Sequence, residues 1–322
     1  MNKVIILLGP TGVGKTGVSI LLAKTLGTDV ISADSMQIYR HMDIGTAKLT
    51  PEERAIVKHH MIDIVEPWES FSTGEYIRKV LPIIDSLHHE GKIPVVVGGT
   101  GLYIKAITRG IFSGPSADWF LRDELLALEK MEKGALYSCL QEVDSEAAGR
   151  ITPGDLRRII RALEVSLKSG KPISEIQKKM TQPIPYKFIK IGLSRERREL
   201  YRIIETRIDK MIKAGLVEEV AKVMNHIEQK SDQRCNPGPL PSMQAIGYKE
   251  MAMYLQGRTD LETSIRLIKR ATKRYAKRQF TWFRKERDIH WIDITGVCDI
   301  HSILKPILDV IYDKLKRGAA ES

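Results

Sequence analysis

A chain of 322 residues, 43% of them hydrophobic, is long enough for a large packed core spread over one or two domains. Its 51 Lys and Arg against 40 Asp and Glu leave a net charge of +11, which points to an anionic partner, nucleic acid before an anionic membrane. Three scattered cysteines without a C-x-x-C pair suggest neither a zinc site nor a disulfide framework, and no apolar run approaches the roughly 20 residues of a membrane span.

In chain order, Val4–Leu8 reads as a buried strand, too short for a signal-peptide core, so a cytoplasmic protein with no membrane partner is expected. Gly17–Thr25 reads as the helix behind it, and Asp29–Ala33 as a second strand. Ser72–His89 reads as a helix, Ile93–Val97 as a strand and Leu102–Thr108 as a helix. Apolar strands alternating with helices predict a parallel sheet covered on both faces. Ser113–Ala117 is rich in Gly, Pro and Ser and suits a boundary. Residues 118–180 are helical in pattern and rich in charge, and Lys187–Leu193, "KFIKIGL", returns to a strand. From Glu196 the pattern is helical again, broken at Cys235–Pro241, where the prolines predict a loop. The expected organisation is a core domain of residues 1–117 and 185–322, interrupted by a helical insertion at 118–184.

Between the first strand and its helix stands "GPTGVGKT", which meets the pattern G-x-x-x-x-G-K-[ST] in the context the motif requires. Glycines let the backbone curl so that several N–H groups face one anion, and the helix N-terminus adds partial positive charge. Gly9, Pro10, Thr11, Gly12, Val13, Gly14, Lys15 and Thr16 are therefore the expected diphosphate cradle, with Lys15 bridging phosphate oxygens and Thr16 ligating Mg²⁺. The fold class that follows is α/β, a P-loop NTPase-like parallel sheet core with an inserted helical domain. ATP fits such a loop. Nucleotide triphosphatases usually also show a strand that ends in Asp. Here the strand Pro94–Val97 ends in Gly98–Gly99–Thr100–Gly101, a first hint of a ligand other than ATP.

Asp34 follows the second strand on the rim where α/β sheets place ligands. It could accept a proton, cap a helix or support Mg²⁺ indirectly, through a group bound to the ion. Ser264–Arg287 holds ten Lys and Arg, many three or four apart, with no acid before Glu286. Such a stripe, Arg274 and Arg278 included, reads as a surface that tracks phosphates. Trp282 and Phe283 are candidates for base stacking, although aromatics beside a helix more often belong to a core.

Together "GPTGVGKT", "ADSMQIYRHMDIGTAK", "VVVGGTGLYIKAI", "DLRRIIRALEV" and "AKRQFTWFRK" resemble the tRNA dimethylallyltransferase family, in family order over nearly the whole chain. The resemblance implies transfer of the dimethylallyl group of dimethylallyl diphosphate to N6 of the adenosine 3′-adjacent to the anticodon. The cradle would then hold a diphosphate leaving group, with Mg²⁺ as cofactor. Asp34 would take the N6 proton, and Arg207 and Lys15 would serve the diphosphate. The target base must leave its stack, and Asp34, Ser35, Met36 and Gln37 would line its pocket. Thr100, Arg122 and the run Arg157, Arg158, Ile159, Ile160 and Arg161 match positions that contact tRNA in the family. Gln244, Gly247, Tyr248 and Lys249 of "QAIGYK" are further candidates, although some members carry Arg in place of Gln244. The insertion resembles the family's mobile domain that folds over the tRNA loop. The partners implied are the anticodon stem-loop and the donor, in a monomer of the compact bacterial form without a zinc finger. The rivals are a small-molecule or nucleotide kinase, a non-catalytic RNA-binding module and a prenyltransferase of free adenine nucleotides.

Overall fold

The computed structural model describes residues 2–112, 114–181, 183–230 and 240–320. An α/β unit is built from the chain up to Lys105 and from Pro185 onward, and a helical unit occupies Ala106–Ile184.

The α/β unit begins with β1 (Lys3–Leu8), α1 (Lys15–Leu26), β2 (Val30–Ala33), α2 (Pro51–Ile56), β3 (His59–His60), α3 (Thr73–His89) and β4 (Val95–Gly98). Helix α4 (Gly101–Arg109) then leads into the helical unit, made of α5 (Trp119–Met131), α6 (Ala135–Val143), α7 (Ser145–Ala148), α8 (Leu156–Ser169) and α9 (Ile173–Met180). The chain returns through β5 (Lys187–Ser194), α10 (Arg197–Lys213), α11 (Leu216–Gln229), α12 (Tyr248–Leu255), α13 (Leu261–Phe283), β6 (Ile289–Asp293) and α14 (Ile300–Ala320).

The strands form one sheet in the order β3-β2-β4-β1-β5-β6, and every neighbouring pair is parallel. The reason lies in the strands themselves: Val4, Ile5, Ile6, Leu7 and Leu8 are all fully buried, as only a strand covered on both faces can be. Side chains from β1, β4 and β5, with α1, α10, α11 and α14, make a continuous apolar core. A parallel sheet sends every strand's carboxyl end to one edge, and the loops after β1, β2 and β4 gather there.

The expected strands and helices are present, with ends shifted by a residue or two. Ser72 lies outside α3 as its cap, in a reciprocal capping box with Glu75. Pro82 sits inside α3 and Pro306 inside α14, so a proline alone does not settle where a helix breaks. The loop expected at Cys235–Pro241 lies outside the described residues apart from Leu240 and Pro241, as does Ser113 of the expected boundary. Two strands correct the sequence reading. The dipeptide β3 is too short to leave a pattern. The alternating "IHWID" of β6 was absorbed into a stretch read as helical, although period-two alternation is the mark of an edge strand.

The helical unit has its own core, with Leu136, Leu140, Ile159, Leu163 and Val165 at its centre. Asp144 caps α7 and also accepts bonds from the backbone and hydroxyl of Ser174 at 2.8 Å each, which ties α7 to α9.

Candidate active site

The loop after β1 is shaped by its glycines. Gly12 and Gly14 have φ of +81° and +108°, conformations that side chains rarely adopt. A Cβ on Gly9 would lie 2.7 Å from the Leu193 carbonyl oxygen, so the loop can cross the end of β5 only without one. Val13 is fully buried and anchors the turn. Helix α1 starts after Gly14 with no side chain bonded to its first N–H groups, which leaves them directed at the cradle. Thr16 is exposed in that first turn. The Lys15 ammonium donates to the carbonyl oxygens of Gly9 and Pro10 at 2.9 Å each. Burial lowers its pKa to about 8, with Asp34 opposing that shift and Arg207 adding to it.

Asp34 lies just past β2. Its Oδ1 accepts from the backbone N–H of Met36 at 2.8 Å and of Gln37 at 3.3 Å. The carboxylate therefore caps its own turn through one oxygen and keeps Oδ2 for other work. Capping and proton acceptance, alternatives on sequence grounds, are compatible here. Thr100 steadies the same turn: its hydroxyl accepts from Ser35 N–H at 3.0 Å, and its own N–H donates to the Ala33 carbonyl at 3.2 Å. The glycine that ends β4 makes this closeness possible, since a Cβ on Gly98 would lie 2.2 Å from the Ala33 oxygen.

Two cavities meet at this edge. One of about 220 Å³ is lined by Gly12, Gly14, Lys15 and Thr16 of the loop. The other, of about 290 Å³, is lined by apolar side chains including Met36, Ile208, Met211, Ile246 and Ile268, with Gln244, Gly247 and Arg278. Thr11, Asp34, Thr46, Arg207 and Tyr275 line both. Arg207 reaches this junction from α10. Burial lowers its pKa and Asp34 partly restores it. One carboxylate between two cations leaves the polar lobe positive, suited to a multiply charged anion. The apolar lobe beside it suits hydrocarbon or a base.

Three side chains that matter here are given no role by the sequence reading. Gln279, on the buried side of α13, accepts from Thr11 N–H at 2.9 Å and donates to the Gly99 carbonyl at 2.8 Å. Tyr275, one turn earlier on α13, has its pKa raised by burial and by Asp34, and it lies beside Thr100 and Gln279. Glu219, on α11, receives the backbone N–H groups of Asp43, Ile44 and Gly45 at 2.9, 2.8 and 3.0 Å, and the Tyr248 hydroxyl at 2.5 Å. It fixes the loop that carries Thr46 into both lobes. Helical Gln and Glu usually face water, so only the tertiary structure reveals these roles.

The residues expected at RNA divide into several environments. Ser35 and Met36 line the apolar lobe, whereas Gln37 lines the polar one. The Gln37 amide already bonds the carbonyls of Thr46 and Ala47 and receives the Ser32 hydroxyl, at 3.3–3.4 Å. Tyr248 is fully buried and Lys249 is exposed. On α13 the charge is less bare than its sequence suggested, because acids on α10 reach it: Lys269 pairs with Asp209 at 2.6 Å and Lys273 with Glu205. Arg270, Arg274, Lys277 and Arg278 stay exposed. Phe283 is core, and Trp282 packs where a Cβ on Gly101 would lie 2.4 Å from its ring.

In the helical unit, the buried Glu164 receives Arg122 at 2.8 and 2.9 Å and Arg161 at 2.5 Å. Half of that pair's positive charge is thus spent internally. Arg157 and Arg158 are exposed, with Arg158 3.3 Å from Asp155, while the side chains of Ile159 and Ile160 are buried in the unit's core.

Among the described residues no cluster of three or more His, Cys, Asp or Glu forms a metal cage. Thr16, exposed at the start of α1, lines the polar lobe, and its hydroxyl is an oxygen donor of the kind Mg²⁺ takes.

The model of the IPP transferase family matches residues 37–286, and that of isopentenyl transferases matches residues 2–67. The tRNA dimethylallyltransferase of Thermodesulfovibrio yellowstonii is 56% identical over 98% of this chain and 99% of its own length. That of Thermotoga maritima is 47% identical over 95% and 98%. Among solved structures, the full-length tRNA isopentenylpyrophosphate transferase of Bacillus halodurans superposes with a TM-score of 0.69 at 41% identity, covering 99% of this chain and 100% of that one. A eukaryotic dimethylallyltransferase acting on tRNA gives 0.76 at 30%, covering 92% and 75%.

Proposed function

The chain belongs to the IPP transferase family of tRNA dimethylallyltransferases, and from that premise we propose how its two lobes divide the reaction. The reaction is transfer of a dimethylallyl group to tRNA, at N6 of the adenosine 3′-adjacent to the anticodon. The donor is dimethylallyl diphosphate. Its diphosphate lies on the Gly9–Thr16 loop, and the allylic carbon points toward the apolar lobe. The flipped adenine enters that lobe with N6 toward Asp34. The N6 lone pair forms the new C–N bond as the allylic C–O bond breaks, and the bonding pair leaves with the diphosphate. Negative charge grows on the leaving oxygens, so the loop N–H groups, Lys15 and Arg207 stabilise the transition state more than the ground state. An adenine amine is a weak nucleophile, and Asp34 accepts the proton it loses. Thr16 would hold a Mg²⁺ in the polar lobe, and such an ion would supply further neutralisation of the leaving group.

The observation that carries this reading is the junction: a carboxylate and a guanidinium shared by a phosphate-lined lobe and an apolar one. The exposed arginines of α13, together with Arg157 and Arg158 of the helical unit, supply contacts to RNA phosphates. Among the described residues no helix is long and apolar enough to cross a membrane. A tRNA substrate favours the cytoplasm as the place of action, and a monomer is part of the same reading. The test is to incubate the protein with Mg²⁺ and labelled dimethylallyl diphosphate and to offer unmodified tRNA, AMP or ATP separately. Label in tRNA alone supports the reading. Label in the free nucleotides, or in none, refutes it.

A further inference from the structure

We propose that Gln279 is a positioning residue for the donor's diphosphate: its amide braces the phosphate loop against the end of β4 and so sets the shape of the cradle. The inference rests on the prenyl-diphosphate reading above.

The brace spans two loops from a third element. Oε1 takes the Thr11 N–H at 2.9 Å, and Nε2 gives a proton to the Gly99 carbonyl at 2.8 Å. The side chain is only 6% exposed and lines the polar lobe. A primary amide offers an acceptor to one partner and a donor to the other from a single side-chain end. A carboxylate would set negative charge against the Gly99 oxygen, and an apolar side chain would leave both backbone groups unpaired. The partner surface is cut to fit: a Cβ on Gly99 would lie 2.3 Å from Nε2, so the glycine is what lets the amide approach.

Holding Thr11 has a consequence beyond stability. The Thr11 amide occupies the middle of the turn between Gly9 and Gly14, where φ values are set by glycines with many accessible conformations. A bond from outside the loop selects one of them. The remaining loop N–H groups are then aimed before the diphosphate arrives, and the ordering cost at binding falls. Tyr275 lines the same lobe one turn earlier on the helix. Helix α13 thus presents Lys277 and Arg278 outward and a loop-shaping amide inward.

The test measures binding of inorganic diphosphate and of dimethylallyl diphosphate by calorimetry, tRNA binding, kcat and donor KM. The proteins compared are wild type, Gln279→Met, Gln279→Glu and Gly99→Ala. Gln279→Met is expected to raise the Kd for inorganic diphosphate and the donor KM by about 10-fold, the loss of one to two net hydrogen bonds, with tRNA affinity within about 2-fold. Gly99→Ala, which displaces the amide without removing it, should reproduce that pattern, and Gln279→Glu should exceed it because a charge is added beside the anion. Wild-type diphosphate affinity in Gln279→Met overturns the proposal. So does a loss shared equally by diphosphate and tRNA, the sign of a general packing defect. Absence of prenyl transfer by the wild type refutes the functional reading instead, and the inorganic-diphosphate arm still reports on Gln279.

Discussion

Replacing Glu219 with Ala removes one carboxylate and strands four donors at once. The Tyr248 side chain is fully buried, so its unpaired hydroxyl costs about 2 kcal/mol. The N–H groups of Ile44 and Gly45 are partly buried and cost about 0.5 kcal/mol each, while that of Asp43 finds water. The sum is about 3 kcal/mol, and at about 2–3 °C per kcal/mol for a domain of this size the Tm falls by about 6–9 °C. Glu219→Gln keeps an acceptor oxygen and should lose about half as much. Thermal unfolding followed by circular dichroism or calorimetry reads both. The same loop carries Gly45 and Thr46 into the lobes, so the folded variant should also turn over more slowly at a temperature where it is fully native. A Tm within about 2 °C of wild type for Glu219→Ala would refute the reasoning, because it would mean that water reaches these donors without cost.

Asp34→Asn keeps an oxygen for the Met36 and Gln37 N–H groups but cannot take a proton; turnover should fall by about 10²–10⁴ with tRNA affinity little changed, as single-turnover rates and filter binding would show. Because burial holds the Lys15 pKa near 8 and bound diphosphate favours its charged form, the affinity advantage of wild type over Lys15→Met should be greatest below pH 8. That advantage should shrink as pH rises through that value, by up to about tenfold per pH unit; calorimetry of both proteins with inorganic diphosphate from pH 7 to 9.5 checks this, the variant's profile carrying the ligand's own ionisation. Arg274→Ala should lower the slope of log K for tRNA against log salt by about 0.7–0.9, whereas Lys273→Ala, already paired with Glu205, should lower it less. Arg207→Lys should raise donor KM, since an ammonium cannot reproduce a two-pronged contact with phosphate oxygens.

What could be read in the sequence was whatever is local in the chain. The strand-loop-helix around Gly9–Thr16, the Asp at the end of β2 and the apolar parallel strands each show within a dozen residues, and the resemblance joined them to a reaction. Interactions that span the chain left no local trace. Gln279 meets Thr11 across the α/β unit, and Glu219 meets a loop that precedes it by some 175 positions. The charge of α13 was overread for the same reason: its acids lie on α10, not on the helix itself. In the sequence the glycines at and after the end of β4 show only the lack of a carboxylate. Their structural meaning is clearance, for Ala33, Gln279 and Trp282 in turn.

The central claim is that the glycine-lined loop holds the leaving group while carbon is handed over. The most direct measurement uses dimethylallyl diphosphate carrying heavy oxygen at the bridging position, with unmodified tRNA, followed by mass spectrometry of both products. Carbon transfer leaves all the heavy oxygen in the released diphosphate and a prenylated adenosine in the tRNA, and a donor-bound crystal would show that diphosphate on the loop. Heavy oxygen in an alcohol, phosphate on the acceptor, or a donor seated away from Gly9–Thr16 would contradict it.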